Sequence, residues 1–132
     1  MNLARLQERI VEFLRAVHQL EKAVQQPKDE FIRDAVIQRF EFTHELSWKM
    51  LKLRLEVEDI FAQTPRETWQ KSLQAGLIKD GNNWTDMQRM RNLTSHTYSE
   101  QLAEEVYNYV VQSGLKNFQE LAEMAQTWKD YL

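Results

Sequence analysis

A chain of 132 residues that carries 17 Lys and Arg against 20 Asp and Glu has a formal net charge of −3, and it contains no cysteine. The length suffices for one domain, residues 1–132, with a real core, and the missing thiols exclude a disulfide framework or a thiolate metal site. The acidic balance argues against a protein built to hold long nucleic acid such as DNA, while leaving room for a small basic pocket.

The first predicted helix covers roughly Asn2 to Gln26. Leu3, Leu6, Ile10, Phe13, Val17, Leu20 and Val24 step by threes and fours, and Leu14 widens the stripe enough to face a bundle core. Charges recur every few residues, so this segment reads neither as a signal peptide nor as a membrane span. The expectation is a soluble cytoplasmic protein. Pro27 ends the helix by removing an N–H and disfavouring helix at the residue before it.

A second helix is expected from Asp29 to about Asp59. Ile32, Ala35, Phe42, Leu46, Met50, Leu53 and Val57 form one stripe, while Phe40, Trp48, Leu51 and Leu55 lie off it. A helix apolar on more than one side is central or buries its second side against another subunit. Its polar interruptions include Glu41, His44, Glu45 and Lys49. They read as a solvated flank, with Glu45 and Lys49 paired at i,i+4, or else Glu41, His44 and Glu45 form a wall facing the residues described next.

Thr64-Pro65-Arg66-Glu67 signals the start of a short third helix, with Thr as cap and Pro at the first helical position. Trp69, Leu73, Leu77 and Ile78 anchor it, and Gly76 is placed to end it. Lys79 to Asn83 reads as a polar turn, after which Thr85-x-x-Gln88 supplies a capping box for a fourth helix. Ser99 caps a last long helix that runs toward Leu132 and is interrupted at Gly114, where a bend or a close helix crossing is expected. The whole is an all-α, up-and-down bundle of four to five helices.

The chemistry concentrates in Arg91-Asn92-Leu93-Thr94-Ser95-His96-Thr97-Tyr98. Arginine carries a permanent charge in a fork that matches phosphate oxygens. Histidine exchanges protons near neutral pH. Tyrosine offers a ring for stacking and a hydroxyl that can be modified. On an ideal helix Arg91 and His96 stand roughly 140° apart, so they share a face only if the helix ends near His96 or a second copy supplies the missing partner. Asn92 and His96, at i and i+4, share a face, which lets Asn92 orient the imidazole. No glycine-rich phosphate loop, no Ser/His/Asp elbow and no metal-ligand spacing occurs; neither cofactor nor metal is expected.

Arg91, His96 and Tyr98 in the pattern Arg-x4-His-x-Tyr resemble the signature of the HEPN superfamily, in particular the HepT-type proteins encoded beside a minimal nucleotidyltransferase. Arg39-Phe40-Glu41-Phe42-Thr43-His44-Glu45-Leu46-Ser47-Trp48-Lys49 resembles the second-helix segment of the related nucleotidyltransferase substrate-binding proteins. The resemblance covers nearly the whole chain. It implies a HEPN-like bundle, a homodimer whose two Arg–His motifs meet across a cleft, and metal-free cleavage of RNA by active members. Within it Arg91 would bind the scissile phosphate, His96 would transfer protons and Asn92 would orient and bind. Tyr98 matches the family's target for nucleotidyl transfer, and the implied partner is a minimal nucleotidyltransferase that neutralises a toxin. The transferase chemistry needs a Gly-Ser segment and a metal-binding aspartate pair on a sheet; this chain has neither. The substrate-binding branch implies the alternative of a subunit that binds nucleotide or substrate without cutting.

Overall fold

A computed structural model describes residues 2–132. Helix α1 spans Leu3–Val24, α2 spans Glu30–Val57, α3 spans Pro65–Gln74 and α4 spans Gly81–Leu93. A single 3-10 turn at Thr94–His96 follows, then α5 at Glu100–Tyr109, which runs through a π-helical segment at Val110–Gly114 directly into α6 at Leu115–Asp130. With α5 and α6 forming one continuous rod, five helical rods among the described residues make the up-and-down all-α bundle.

Each start has a chemical cause. The side chains of Asn2, Asp29, Thr64 and Ser99 accept from backbone amides three residues on and so satisfy first-turn donors of α1, α2, α3 and α5. The start of α4 differs from the sequence expectation. Asp80, not Thr85, is its cap, accepting from the amides of Asn82 and Asn83. Thr85 lies inside the helix, where its hydroxyl donates to the Gly81 carbonyl at 2.9 Å. A carboxylate cap that reaches two amides outcompetes a threonine further along, so the polar turn is shorter than expected. At the end of α3, Gly76 takes φ +78°, and the Leu77 amide bonds back to the Ser72 carbonyl.

The core runs between α1, α2 and the α5–α6 rod. Phe13, Phe40 and Phe118 are fully buried, and their rings meet at 5.9 to 6.2 Å. The buried side of α2 is rotated from the stripe expected for it. Val36, Phe40, Met50, Leu51 and Leu55 face inward together with Arg33, Thr43, His44 and Ser47, whereas Phe42 is 56% exposed. Four polar residues inside the buried stripe disguise it. Thr43 and Ser47 are buried at little cost because their hydroxyls donate to the Arg39 and His44 carbonyls one turn back. The expected third-helix anchor Leu73 is 40% exposed, while Trp69, Leu77 and Ile78 are buried. Gly114 sits against the rings of Tyr109 and Phe40, where a Cβ would stand 3.0 and 3.6 Å from them. The π turn and the missing side chain together let the rod close over Phe40.

His44 is buried rather than part of an open wall. Its ring lies 5.3 Å from Trp69 and 6.4 Å from Phe40, and neither ring nitrogen has a hydrogen-bond partner. Burial, helped by the Arg91 charge and opposed by Glu45, pushes it down from 6.5 to about 4. The folded state thus holds a neutral imidazole that the unfolded chain protonates below about pH 6.5. Its contribution to stability is full above that value and is lost progressively as the pH falls from about 6.5 to about 4, amounting to about 3 kcal/mol when complete. Unfolding in urea at pH 7 and pH 4.5 should show this loss in the wild type and a much flatter response in His44→Leu. Equal pH dependence in the two proteins would contradict it.

Candidate functional site

The last turn of α4 and the segment after it are shaped by hydroxyl side chains. The Thr94 hydroxyl donates to the Arg91 carbonyl at 2.7 Å, Ser95 to the Asn92 carbonyl at 3.1 Å, and Thr97 to the Thr94 carbonyl at 3.1 Å. These bonds satisfy carbonyls that a continuing helix would use and tighten the chain into the 3-10 turn. Thr94 is buried and fixes the turn to the bundle. Tyr98 then stands 85% exposed, its ring edge-on to that of His96 at 6.1 Å.

Arg91 reaches the other way. One of its nitrogens donates to the Thr94 hydroxyl at 3.3 Å, and the other lies 3.8 Å from a Glu41 oxygen. It lines a groove of about 860 Å³ between α2, α4 and the turn, with Asp34, Arg39, Glu41, Phe42 and Glu45 among its walls. Glu45 is held by the Trp48 indole at 3.1 Å and by Lys49 at 3.3 Å. Burial works to raise the Glu45 carboxyl, but the Trp48 bond and the Lys49 and Arg91 charges outweigh it, and it lies below the ordinary carboxylate range.

Of the residues singled out in the sequence, Arg91, Glu41 and Glu45 therefore share one groove. His44 lies beneath it in the core. Asn92 does not meet His96, because the 3-10 turn breaks the i,i+4 register; its side-chain oxygen accepts from Gln88 at 3.3 Å. His96, Asn92 and Tyr98 are exposed beside the groove but do not line it. A second cavity of about 510 Å³, between the α3–α4 link and α6, holds none of these residues. Among the described residues no group of three His, Asp or Glu side chains is placed to hold a metal ion, and no helix is long and apolar enough to cross a membrane.

Arg33 escaped the sequence reading. It is only 5% exposed and faces three carboxylates. Its fork bonds both oxygens of Glu100, at 2.6 and 3.4 Å, while Glu104 lies at 3.3 Å and Asp34 at 3.1 Å. These partners, the Glu100 bond first, outweigh burial and hold the guanidinium charge more firmly than usual. An arginine in the buried stripe of α2 and two glutamates four apart at the start of α5 were the available signal.

Known proteins share this architecture. A crystal structure from Thermus thermophilus superposes with a TM-score of 0.73 at 29% identity, covering 87% of this chain and 96% of its own. Haemophilus influenzae HI0074, described as the fold of a substrate-binding domain of a nucleotidyltransferase, superposes with a TM-score of 0.67 at 31% identity, covering 95% and 99%. The chain is also 42% identical over 76 residues to the probable ribonuclease HepT of Haemophilus influenzae. That match takes in 54% of this chain and spans about half, 52%, of the relative's length. Residues 8–127 match the family model described as nucleotidyltransferase substrate binding protein like, and the chain belongs to that family.

Proposed function

We propose that this chain is the helical partner of a separately encoded minimal nucleotidyltransferase, and that two copies form a metal-independent RNA endonuclease, the toxin of a cytoplasmic toxin–antitoxin pair. The observation that carries this reading is the arrangement of Arg91 and His96. Arg91 points into an open groove while His96 is displayed on the adjoining exposed turn. A second copy facing this end would bring its own imidazole to the Arg91 groove. Family membership and the likeness to a probable ribonuclease support the same reading.

In this reaction the ribose 2′-oxygen attacks the adjacent phosphorus and the bond to the 5′-oxygen breaks. His96 takes the 2′ proton while the leaving 5′-oxygen is protonated from water, or it protonates the leaving oxygen while water takes the 2′ proton. Arg91 balances the charge that grows on the non-bridging oxygens. Asn92, exposed one turn before His96, contacts the bound strand. The products are a 2′,3′-cyclic phosphate and a 5′-hydroxyl. Tyr98 is the acceptor for the partner transferase: its hydroxyl loses its proton and bonds the α-phosphorus of a nucleoside triphosphate, pyrophosphate leaves, and the added phosphate blocks the cleft. RNA incubated with the protein in EDTA should yield cyclic phosphate ends; 3′-hydroxyl and 5′-phosphate ends would contradict attack by the 2′-oxygen.

The alternative, a subunit that binds nucleotide without cutting, draws support from the groove's mixed charge. Asp34, Glu41 and Glu45 accompany Arg39 and Arg91 there, a balance better suited to one nucleotide than to a long polyanion. Nucleotide binding that depends on Arg91, with RNA left intact, would decide for it.

A further inference from the structure

The turn that carries His96 and Tyr98 is tied down at both ends. At its start, buried Thr94 bonds Arg91 through both its hydroxyl donor and its acceptor. At its end, Glu100 opens α5 immediately after the Ser99 cap, and the Ser99 amide donates to the His96 carbonyl at 3.2 Å. Glu100 is itself 76% exposed, yet the cation it binds is buried. Arg33 offers its fork to both Glu100 oxygens and keeps Glu104 and Asp34 as further partners. Glu104 is also paired with Lys28 from the link before α2. Two cations around the start of α2 thus clasp two carboxylates of the first turns of α5.

A two-pronged arginine–carboxylate pair fixes direction as well as distance. Only the cation of this pair is buried; Glu100 stays open to water, so the pair's value lies in the direction it fixes rather than in its strength. Asp34, the third carboxylate on Arg33, also lines the Arg91 groove. One guanidinium therefore touches both the wall of the groove and the base of the turn. His96 and Tyr98 are exposed side chains, so their placement relative to Arg91 depends on how the two ends of their turn are held.

We propose that Arg33 is a positioning residue: through Glu100 it fixes the turn that presents His96 and Tyr98 beside the Arg91 groove. The catalytic part of this inference rests on the endonuclease reading, whereas the structural part stands apart from it. The test uses the full chain with Glu100→Ala, which removes an exposed side chain and leaves no core cavity, and Arg33→Lys, which keeps the charge and loses the fork. Hydrogen exchange at Ser99 should accelerate about tenfold in both variants while core amides of α1 and α2 hold their wild-type protection. RNA cleavage should lose at least about tenfold in kcat with KM changed by less than about threefold, the pattern of a misplaced reacting group. Unchanged exchange at Ser99, or acceleration spread evenly along the chain, would overturn the inference. So would cleavage at the wild-type rate in a variant whose Ser99 amide has been freed. A wild type that cuts no RNA would refute the endonuclease reading alone, and the exchange measurement would still decide whether Arg33 holds the turn.

Discussion

Mixing Arg91→Ala and His96→Ala chains is expected to restore RNA cleavage that each variant alone has lost. Alone, each should fall by a factor of about 100 or more, the scale on which positioned proton transfer and charge stabilisation act. Within one chain Arg91 turns into the groove toward Glu41, while His96 sits on the turn beyond it with its ring against Tyr98. If each working site takes Arg91 from one copy and His96 from the other, a mixed dimer holds one intact site and one doubly damaged one. Random pairing of equal amounts then returns roughly a quarter of the wild-type activity. Activity that stays absent after subunit exchange, with both variants folded, would mean that the two residues must come from the same chain. Neither substitution removes a core side chain: Arg91 is part-exposed and His96 exposed.

Phe40→Ala should cost about 3–5 kcal/mol of folding stability. Phe40 is fully buried on α2 and lies within 6.4 Å, ring to ring, of His44, Tyr109 and Phe118. Opposite it the π turn brings Gly114 close, so the rod's backbone is shaped around this ring. Backbone packed that tightly cannot collapse into the space a truncated side chain leaves, which places the expected cost in the upper part of the range for such changes. Against a total stability of roughly 5–15 kcal/mol, the loss should lower Tm by at least about 10 °C. A shift of only a few degrees would show that α2 repacks and that Phe40 is not the keystone of the core.

The helical layout was legible because local signals agreed with it. Asp29, Thr64 and Ser99 announce three helix starts that the structure uses as caps, Gly76 ends α3, and Pro27 lies just beyond the end of α1 at Val24. The inner side of α2 was not legible. Its buried stripe contains Arg33, Thr43, His44 and Ser47, and each is accommodated by something a hydropathy pattern cannot see: carboxylates from another helix, backbone carbonyls one turn back, or an aromatic cage. Phe42, read as core, faces the groove instead. At the site, the turn after α4 was expected, but the i,i+4 contact between Asn92 and His96 was not met, because three hydroxyls in four residues tighten the backbone there. The Arg33 clasp joins residues 67 and 71 positions apart, a separation that no local pattern spans.

The most direct test of the central claim is a time course of RNA cleavage in EDTA by purified wild type and His96→Ala, with circular dichroism confirming that both are folded. The endonuclease account predicts cleavage by the wild type without added metal and its loss in the variant. Equal cleavage by both proteins, or none by the wild type, would contradict it.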